Sequence, residues 1–233
     1  DLAKSLRPDI ITLDVEMPVM DGLTALKKIM TECPTTVIMI SSITTEGAQA
    51  TIKALELGAV DFIPKELSYV SVSISNIRED LISKIKEFVR QRSLRERLNR
   101  IRSSMPSAPP PKRLTSVTKE IPRHGYKAVA IGISTGGPFT LQKILPVISE
   151  QINVPIFIVQ HMPPKFTKSL AERLNGMCSL EVREAEDAER VRPNVIYIAP
   201  GGLHMKVRSI GMKGIEINVT TEPSTTLHRP AVD

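Results

Sequence analysis

The chain is predicted to be an α/β protein with two doubly wound parallel sheets, joined by a helix and a linker. Three observations predict it. Short apolar runs recur at Asp9–Asp14, Val37–Ile40, Val60–Ile63, Lys127–Ile133, Pro155–Gln160 and Val195–Ala199. Segments with helical spacing separate them. A stretch rich in Ser and Pro, 103–120, divides the series in two. Strands apolar on both faces, alternating with amphipathic helices, belong to a parallel sheet covered on both sides.

In the first half, Asp9–Asp14 (DIITLD) is a strand that ends in an acid. Gly22–Glu32 carries Leu23, Leu26, Ile29 and Met30 at helical spacing. Val37–Ile40 is the second strand, Glu46–Leu57 a helix stopped by Gly58, and Val60–Ile63 the third strand. A long helix is expected from Ile77 to near Ser103, with Leu81, Ile85 and Phe88 facing the sheet. Beyond Arg90 its apolar residues thin to Leu94, Leu98 and Ile101, which suits an exposed helix running into the linker. In the second half, strands are expected at Lys127–Ile133, Pro155–Gln160, Val195–Ala199 and Ile215–Val219. Helices are expected at Gly137–Ile148 and Thr167–Asn175. The expected units are 1–90, a basic helix and linker over 91–124, and 125–233.

Composition narrows the function classes. With five Phe, three Tyr and no Trp, the cores must be aliphatic. Two cysteines, Cys33 and Cys178, lie in different halves, which argues against a disulfide framework or a Cys-ligated metal and favours the cytoplasm. No apolar run approaches the roughly 18 residues of a membrane span. The net charge is +6, and 84–113 alone holds ten Lys and Arg against Glu87 and Glu96. Basicity confined to one helix and linker, with few aromatics, argues against a nucleic-acid surface. The chain opens on Asp1 rather than Met and reads as a fragment.

Two constellations carry chemistry. In the first, Asp14 closes its strand, Ser41 follows the next and Lys65 follows the third. Carboxylate, hydroxyl and ammonium at successive strand ends share the rim where parallel sheets bind ligands, and they suit phosphoryl transfer. In the second, Gly132-Ile133-Ser134-Thr135-Gly136-Gly137-Pro138 joins a strand to a helix, so Ser134 is exposed near a helix N-terminus. No Gly-Lys-Ser/Thr follows, which excludes a phosphate-binding Walker loop. The next strand ends in Gln160-His161 rather than the acid of a dinucleotide site. Neighbouring strands therefore deliver Ser134 and His161 to one rim, as nucleophile and general base. Asp187 and Glu189 are weak candidates for the acid of a triad.

The run DVEMPVMDG with Asp14, Ser41 and Lys65 resembles the receiver domains of two-component systems. The runs GISTGGP, VQHMPPKFT, IYIAPGGLHM and HRPAVD, in that order, resemble the chemotaxis response-regulator protein-glutamate methylesterases. That resemblance implies two flavodoxin-like or Rossmann-like domains, both truncated. It implies phosphorylation at Asp14, with Mg²⁺ held by Asp14 and the backbone carbonyl of Glu16 and its other ligands missing from the fragment. It makes Ser41 and Phe62 a switch pair and Lys65 the phosphate contact. It implies Ser134 and His161 as catalytic, a third-member Asp beyond Asp233, and Thr135, His204, His228 and Arg229 near the substrate. The implied activity is hydrolysis of glutamate methyl esters on chemoreceptors, with protein-glutamine glutaminase activity and no cofactor for the esterase. The implied partners are methyl-accepting receptors and a histidine kinase phosphodonor, with no nucleic acid, no membrane insertion and a monomeric state. Lys65 is followed by Glu66 where receivers usually have Pro. A response regulator with a DNA-binding output, or a partner-binding pseudoenzyme, is the alternative.

Overall fold

The computed structural model describes residues 1–65, 78–79, 81–90, 93, 125–148, 152–226 and 229–232. After a short helix α1 (Leu2–Leu6), strands β1 (Ile10–Asp14), β2 (Thr36–Ser42) and β3 (Asp61–Lys65) form a parallel sheet in that order. The register sets Asp14 opposite Ile40 and Ser42 opposite Lys65, so the three polar strand ends meet at one rim. Helix α2 (Gly22–Glu32) starts where the Asp21 carboxylate accepts the Thr24 N–H at 2.9 Å and the Thr24 hydroxyl at 2.8 Å. Helix α3 (Thr45–Glu56) starts where the Thr44 hydroxyl accepts the Gly47 N–H at 2.9 Å. Each cap satisfies one of the N–H groups that a helix start leaves without a partner. Residues 81–90 form helix α4. The rest of the expected helix to Ser103, and the linker 103–120, lie outside the described residues.

The second sheet holds β4 (Val129–Ile133), β5 (Ile156–Gln160), β6 (Glu181–Glu184) and β7 (Val195–Ile198), all parallel, in the order β4-β5-β7-β6. Helices α5 (Gly137–Ile144) and α6 (Phe166–Asn175) are the connections after β4 and β5. Helix α5 stops four residues earlier than the helical spacing suggests. Pro146 lacks the N–H an α-helix needs there, and Leu145–Val147 tightens to a 3₁₀ turn. Strand β6 (EVRE) has only Val182 buried, so its sequence hides a strand behind charge.

The segment expected as a further parallel strand, Ile215–Val219, is instead β9 (Ile215–Thr220), paired antiparallel with β8 (His204–Ser209). One face of this hairpin packs inward through Ile217, which sits with Tyr197 and Val195. The outer face carries Lys206 and Arg208, so only one side is apolar, as antiparallel pairs allow.

The two sheets share one core. Leu55 and Phe62 from the first half cluster with Phe166, Leu170 and Leu174 from the second. The Phe62 and Phe166 rings stack with centroids 4.6 Å apart and planes 7° from parallel. Such a stack adds about 0.5–1.5 kcal/mol to the area it buries. Arg173 on α6 pairs with Glu56 at the end of α3.

Candidate active site and phosphoacceptor rim

At the first rim, the Asp14 carboxylate accepts the Glu16 N–H at 3.1 Å and forms an ion pair with the Lys65 ammonium. The structure thus brings Asp14 and Lys65 together, 51 residues apart in the chain. Ser41 is fully buried and its hydroxyl donates to the Gly47 carbonyl at 3.0 Å, facing the start of α3. Its neighbour Ser42, which sequence reasoning passes over, donates to the Glu16 carboxylate at 3.0 Å. A second serine after a strand that ends VIMIS gave no signal of which hydroxyl would face the rim. The Asp21 carboxyl is held below the usual carboxylate range by the Thr24 N–H and then by the Thr24 hydroxyl. Among the described residues, no group of three or more His, Cys, Asp or Glu side chains is placed to hold a metal ion. Asp14 and the Glu16 carbonyl are hard oxygen donors of the kind Mg²⁺ takes, and they fit it as part of an octahedral set.

At the second rim, β4 and β5 pair in register with Ile133 opposite Gln160. The next residues, Ser134 and His161, therefore leave the sheet side by side. The Ser134 hydroxyl lies 3.3 Å from His161 Nδ1, and Ser134 is exposed. To take the hydroxyl proton at Nδ1, the imidazole must be neutral with its proton on Nε2. Gly136 adopts φ +72°, which lets the chain reverse from strand to helix directly after Ser134. Thr135, half-buried, sits inside that turn.

The other expected residues are placed as follows. His204 is buried, with Nε2 3.1 Å from the Thr226 hydroxyl. Its Nδ1 accepts the Ala231 N–H at 3.4 Å, which puts the ring proton on Nε2 as a donor. The ring thereby ties β8 to the HRPAVD segment. Arg229 is exposed and its carbonyl accepts the Gly202 N–H at 3.1 Å. Val232 of the same segment lies against Gly132, two residues before Ser134. His228, Asp233 and Glu66 lie outside the described residues. Asp187 is engaged by the Val219 N–H at 2.8 Å and by Asn218, and Glu189 by Arg183 at 3.1 Å, so both serve the hairpin and its loop.

Two residues that sequence reasoning does not single out touch this turn. Gln160, only 2% exposed, donates to the Ser134 carbonyl at 3.1 Å and to the His161 carbonyl at 3.2 Å. Asp61, at the start of β3, is 2% exposed and accepts the Gly136 N–H at 3.3 Å. The same carboxylate accepts from Lys84 on α4 at 2.9 Å and from the Phe62 N–H at 2.8 Å. Helix α5 has no cap from its own N-cap residue. The first half supplies a carboxylate there instead, where the helix dipole favours negative charge.

Residues 129–233 match the family model of the CheB methylesterase, and residues 1–72 that of the response regulator receiver domain. The chain therefore joins a receiver domain to a CheB methylesterase domain. A protein-glutamate methylesterase/protein-glutamine glutaminase of Oleidesulfovibrio alaskensis is 45% identical over 97% of this chain, which spans 65% of that relative. The chain thus covers a little less than two thirds of that relative's length. The crystal structure of the Thermotoga maritima CheB methylesterase catalytic domain is 44% identical, with a TM-score of 0.43, over 45% of this chain and 55% of that one. The response regulator domain of Thermotoga maritima CheB is 49% identical, with a TM-score of 0.34, over 37% of this chain and 64% of that one.

Proposed function

We propose that the whole protein hydrolyses glutamyl γ-methyl esters on chemoreceptors, and deamidates receptor glutamines, through Ser134 and His161 under control of phosphorylation at Asp14. The observation that carries this reading is the 3.3 Å approach of the Ser134 hydroxyl to the His161 ring at one sheet rim. Ser134 Oγ attacks the ester carbonyl while His161 takes its proton. His161 then protonates methoxide, and methanol leaves the acyl-enzyme. Water, deprotonated by His161, attacks the acyl carbonyl and frees glutamate and Ser134. With a glutamine side chain the leaving group is ammonia. An acid on the other ring nitrogen fixes the tautomer. This reading assigns that role to an Asp beyond Asp233.

Control would lie at the first rim. Asp14 accepts the phosphoryl group from a histidine kinase. Asp14 and the Glu16 carbonyl would hold Mg²⁺, which would offset phosphoryl charge. Lys65, already on Asp14, follows the new phosphate. The Ser41 hydroxyl would have to leave the Gly47 carbonyl to reach it. The units 1–90, 91–124 and 125–233 are receiver, linker and catalytic domain. Asp61 and Phe62 press the receiver onto the Ser134 turn and α6, which restrains the esterase until Asp14 is phosphorylated. Thr135, His204 and Arg229 shape the substrate side, His204 by holding Thr226 and Ala231, and the resemblance adds His228 to them. Among the described residues no helix is long and apolar enough to cross a membrane. The proposed setting, a monomer in the cytoplasm, follows from the resemblance.

The test is Ser134→Ala in the full-length protein, with release of labelled methanol from methylated receptor as the readout. Turnover should fall by roughly 10⁴-fold or more, as for nucleophile removal in serine hydrolases. A variant that keeps its rate ends the esterase reading.

A further inference from the structure

We infer that Gln160 is a positioning residue for the nucleophile: its amide fixes the Ser134–Thr135 peptide so that the Thr135 N–H faces the reacting carbonyl. The inference rests on Ser134 being the nucleophile. The Ser134 carbonyl accepts two hydrogen bonds, from the Gly137 N–H at 2.8 Å and from Gln160 Nε2 at 3.1 Å. Both partners belong to buried residues. A trans peptide is planar, with its C=O and N–H pointing opposite ways. Holding the Ser134 carbonyl inward therefore holds the Thr135 N–H outward, beside Ser134 Oγ. A backbone N–H in that place can stabilise the oxyanion formed when Oγ attacks.

The second N–H of the same amide reaches the His161 carbonyl at 3.2 Å. One planar group therefore clamps the backbones of nucleophile and base together. Two donors forked at this chain length are available from Gln; Glu and Met offer none and Asn is a methylene shorter. The side chain is not simply filling space. Its Oε1 is buried without a hydrogen-bond partner, which a packing residue such as Met would avoid. Gly137 makes room for that oxygen: a Cβ there would lie 1.8 Å from it. The site thus carries an unsatisfied acceptor and a side-chain-free position to keep the amide where it is.

The experiment compares wild type, Gln160→Met, Gly137→Ala and the double variant in the full-length protein. It measures kcat and KM for ester hydrolysis, the rate of Ser134 phosphonylation by a fluorophosphonate, and the thermal midpoint. Gln160→Met should lower kcat roughly 10- to 100-fold, short of the 10²–10³ for losing an oxyanion donor outright. KM should stay within about twofold, and phosphonylation should slow in parallel, because both attacks need the same N–H. The thermal midpoint should shift little, since the two lost amide bonds are offset by removal of an unsatisfied buried acceptor. Gly137→Ala should reproduce the loss by displacing the amide, and the double variant should be no slower than the worse single one. Wild-type kcat in Gln160→Met overturns the inference. So does a loss of rate that merely tracks a lower count of titratable active sites. Phosphonylation reads Ser134 directly whatever its natural substrate, so failure of the ester assignment and failure of the Gln160 role give different results.

Discussion

Asp61→Asn tests the proposal that the first half restrains the second. In the wild type the Asp61 carboxylate meets donors from Phe62, Lys84 and Gly136 at 2.8, 2.9 and 3.3 Å. Asparagine can still accept the Phe62 N–H, but its own NH₂ then faces the other two donors. Of these three bonds only the one from Gly136 crosses between the halves, so only that term changes docking. A hydrogen bond to a charged group contributes about 1.5–3 kcal/mol, and an anion at a helix N-terminus about 0.3–1 kcal/mol as part of the same contact. At 3.3 Å the bond is long, so the lower end applies: about 1.5–2 kcal/mol, or roughly 10- to 30-fold in the docked-to-open ratio. The assay is methanol release from methylated receptor by full-length protein, with and without phosphodonor. Without it, Asp61→Asn should run roughly tenfold faster than wild type. With it, the two rates should agree, because both proteins are then open. An unphosphorylated rate no higher than wild type, in protein whose phosphorylated rate is normal, would refute the assignment of Asp61 to restraint.

Three other outcomes follow from the geometry. Asp14→Asn should abolish incorporation of labelled phosphate and the stimulated turnover while leaving the basal rate, because the acceptor oxygen is lost and the Ser134 turn is untouched; incorporation at the wild-type level would place the phosphoacceptor elsewhere. Thr167→Val removes a buried hydroxyl that donates to Glu184 at 2.5 Å and accepts the Gly201 N–H at 2.9 Å. The stranded N–H should cost about 1–3 kcal/mol, read as a lower urea midpoint for unfolding of the β4–β7 sheet. Asp187 is held below the usual carboxylate range, first by the Val219 N–H. Its stabilisation is therefore complete above its unfolded pKa of about 3.9 and is lost as pH falls through the lower folded value. Asp187→Asn keeps an acceptor for Val219 but has no charge to titrate, so its thermal midpoint should fall less steeply below about pH 4 than that of wild type.

Strands with two apolar faces were the most legible part of the sequence. DIITLD, VIMI and PIFIVQ could pack only inside a covered sheet, and their ends had to share a rim. That is why Asp14 with Lys65, and Ser134 with His161, could be paired from strand order alone. Strand β6 escapes because EVRE offers one apolar residue, and it is a strand through its pairing with β7 rather than through its own composition. The β8–β9 hairpin escapes because Lys206 and Arg208 break any buried run. Gln160 was visible only as the polar residue before His161; that its amide turns back onto Ser134 depends on strand register. The Asp61 contact spans 75 residues and joins the two sheets, and periodicity within a segment carries no information about such a pair.

Under the proposed function, the placement of Asp61 and Phe62 would let phosphorylation of Asp14 act at a distance. Both stand at the start of β3, and Lys65, which grips Asp14, stands at its end. Five extended residues span only about 13 Å at 3.3 Å per step. β3 is held on both ends: Phe62 by its stack on Phe166, and Lys65 by Asp14. A strand with a closed hydrogen-bond ladder does not stretch, so a change at Lys65 must be taken up as a shift of the strand or of its side chains. The contacts best placed to yield are the ones that cross to the second half, the Phe stack and the long Asp61–Gly136 bond. A phosphoryl group that draws Lys65 aside therefore has a short, stiff route to the Ser134 turn, and the two-state element that route requires is the docking contact itself.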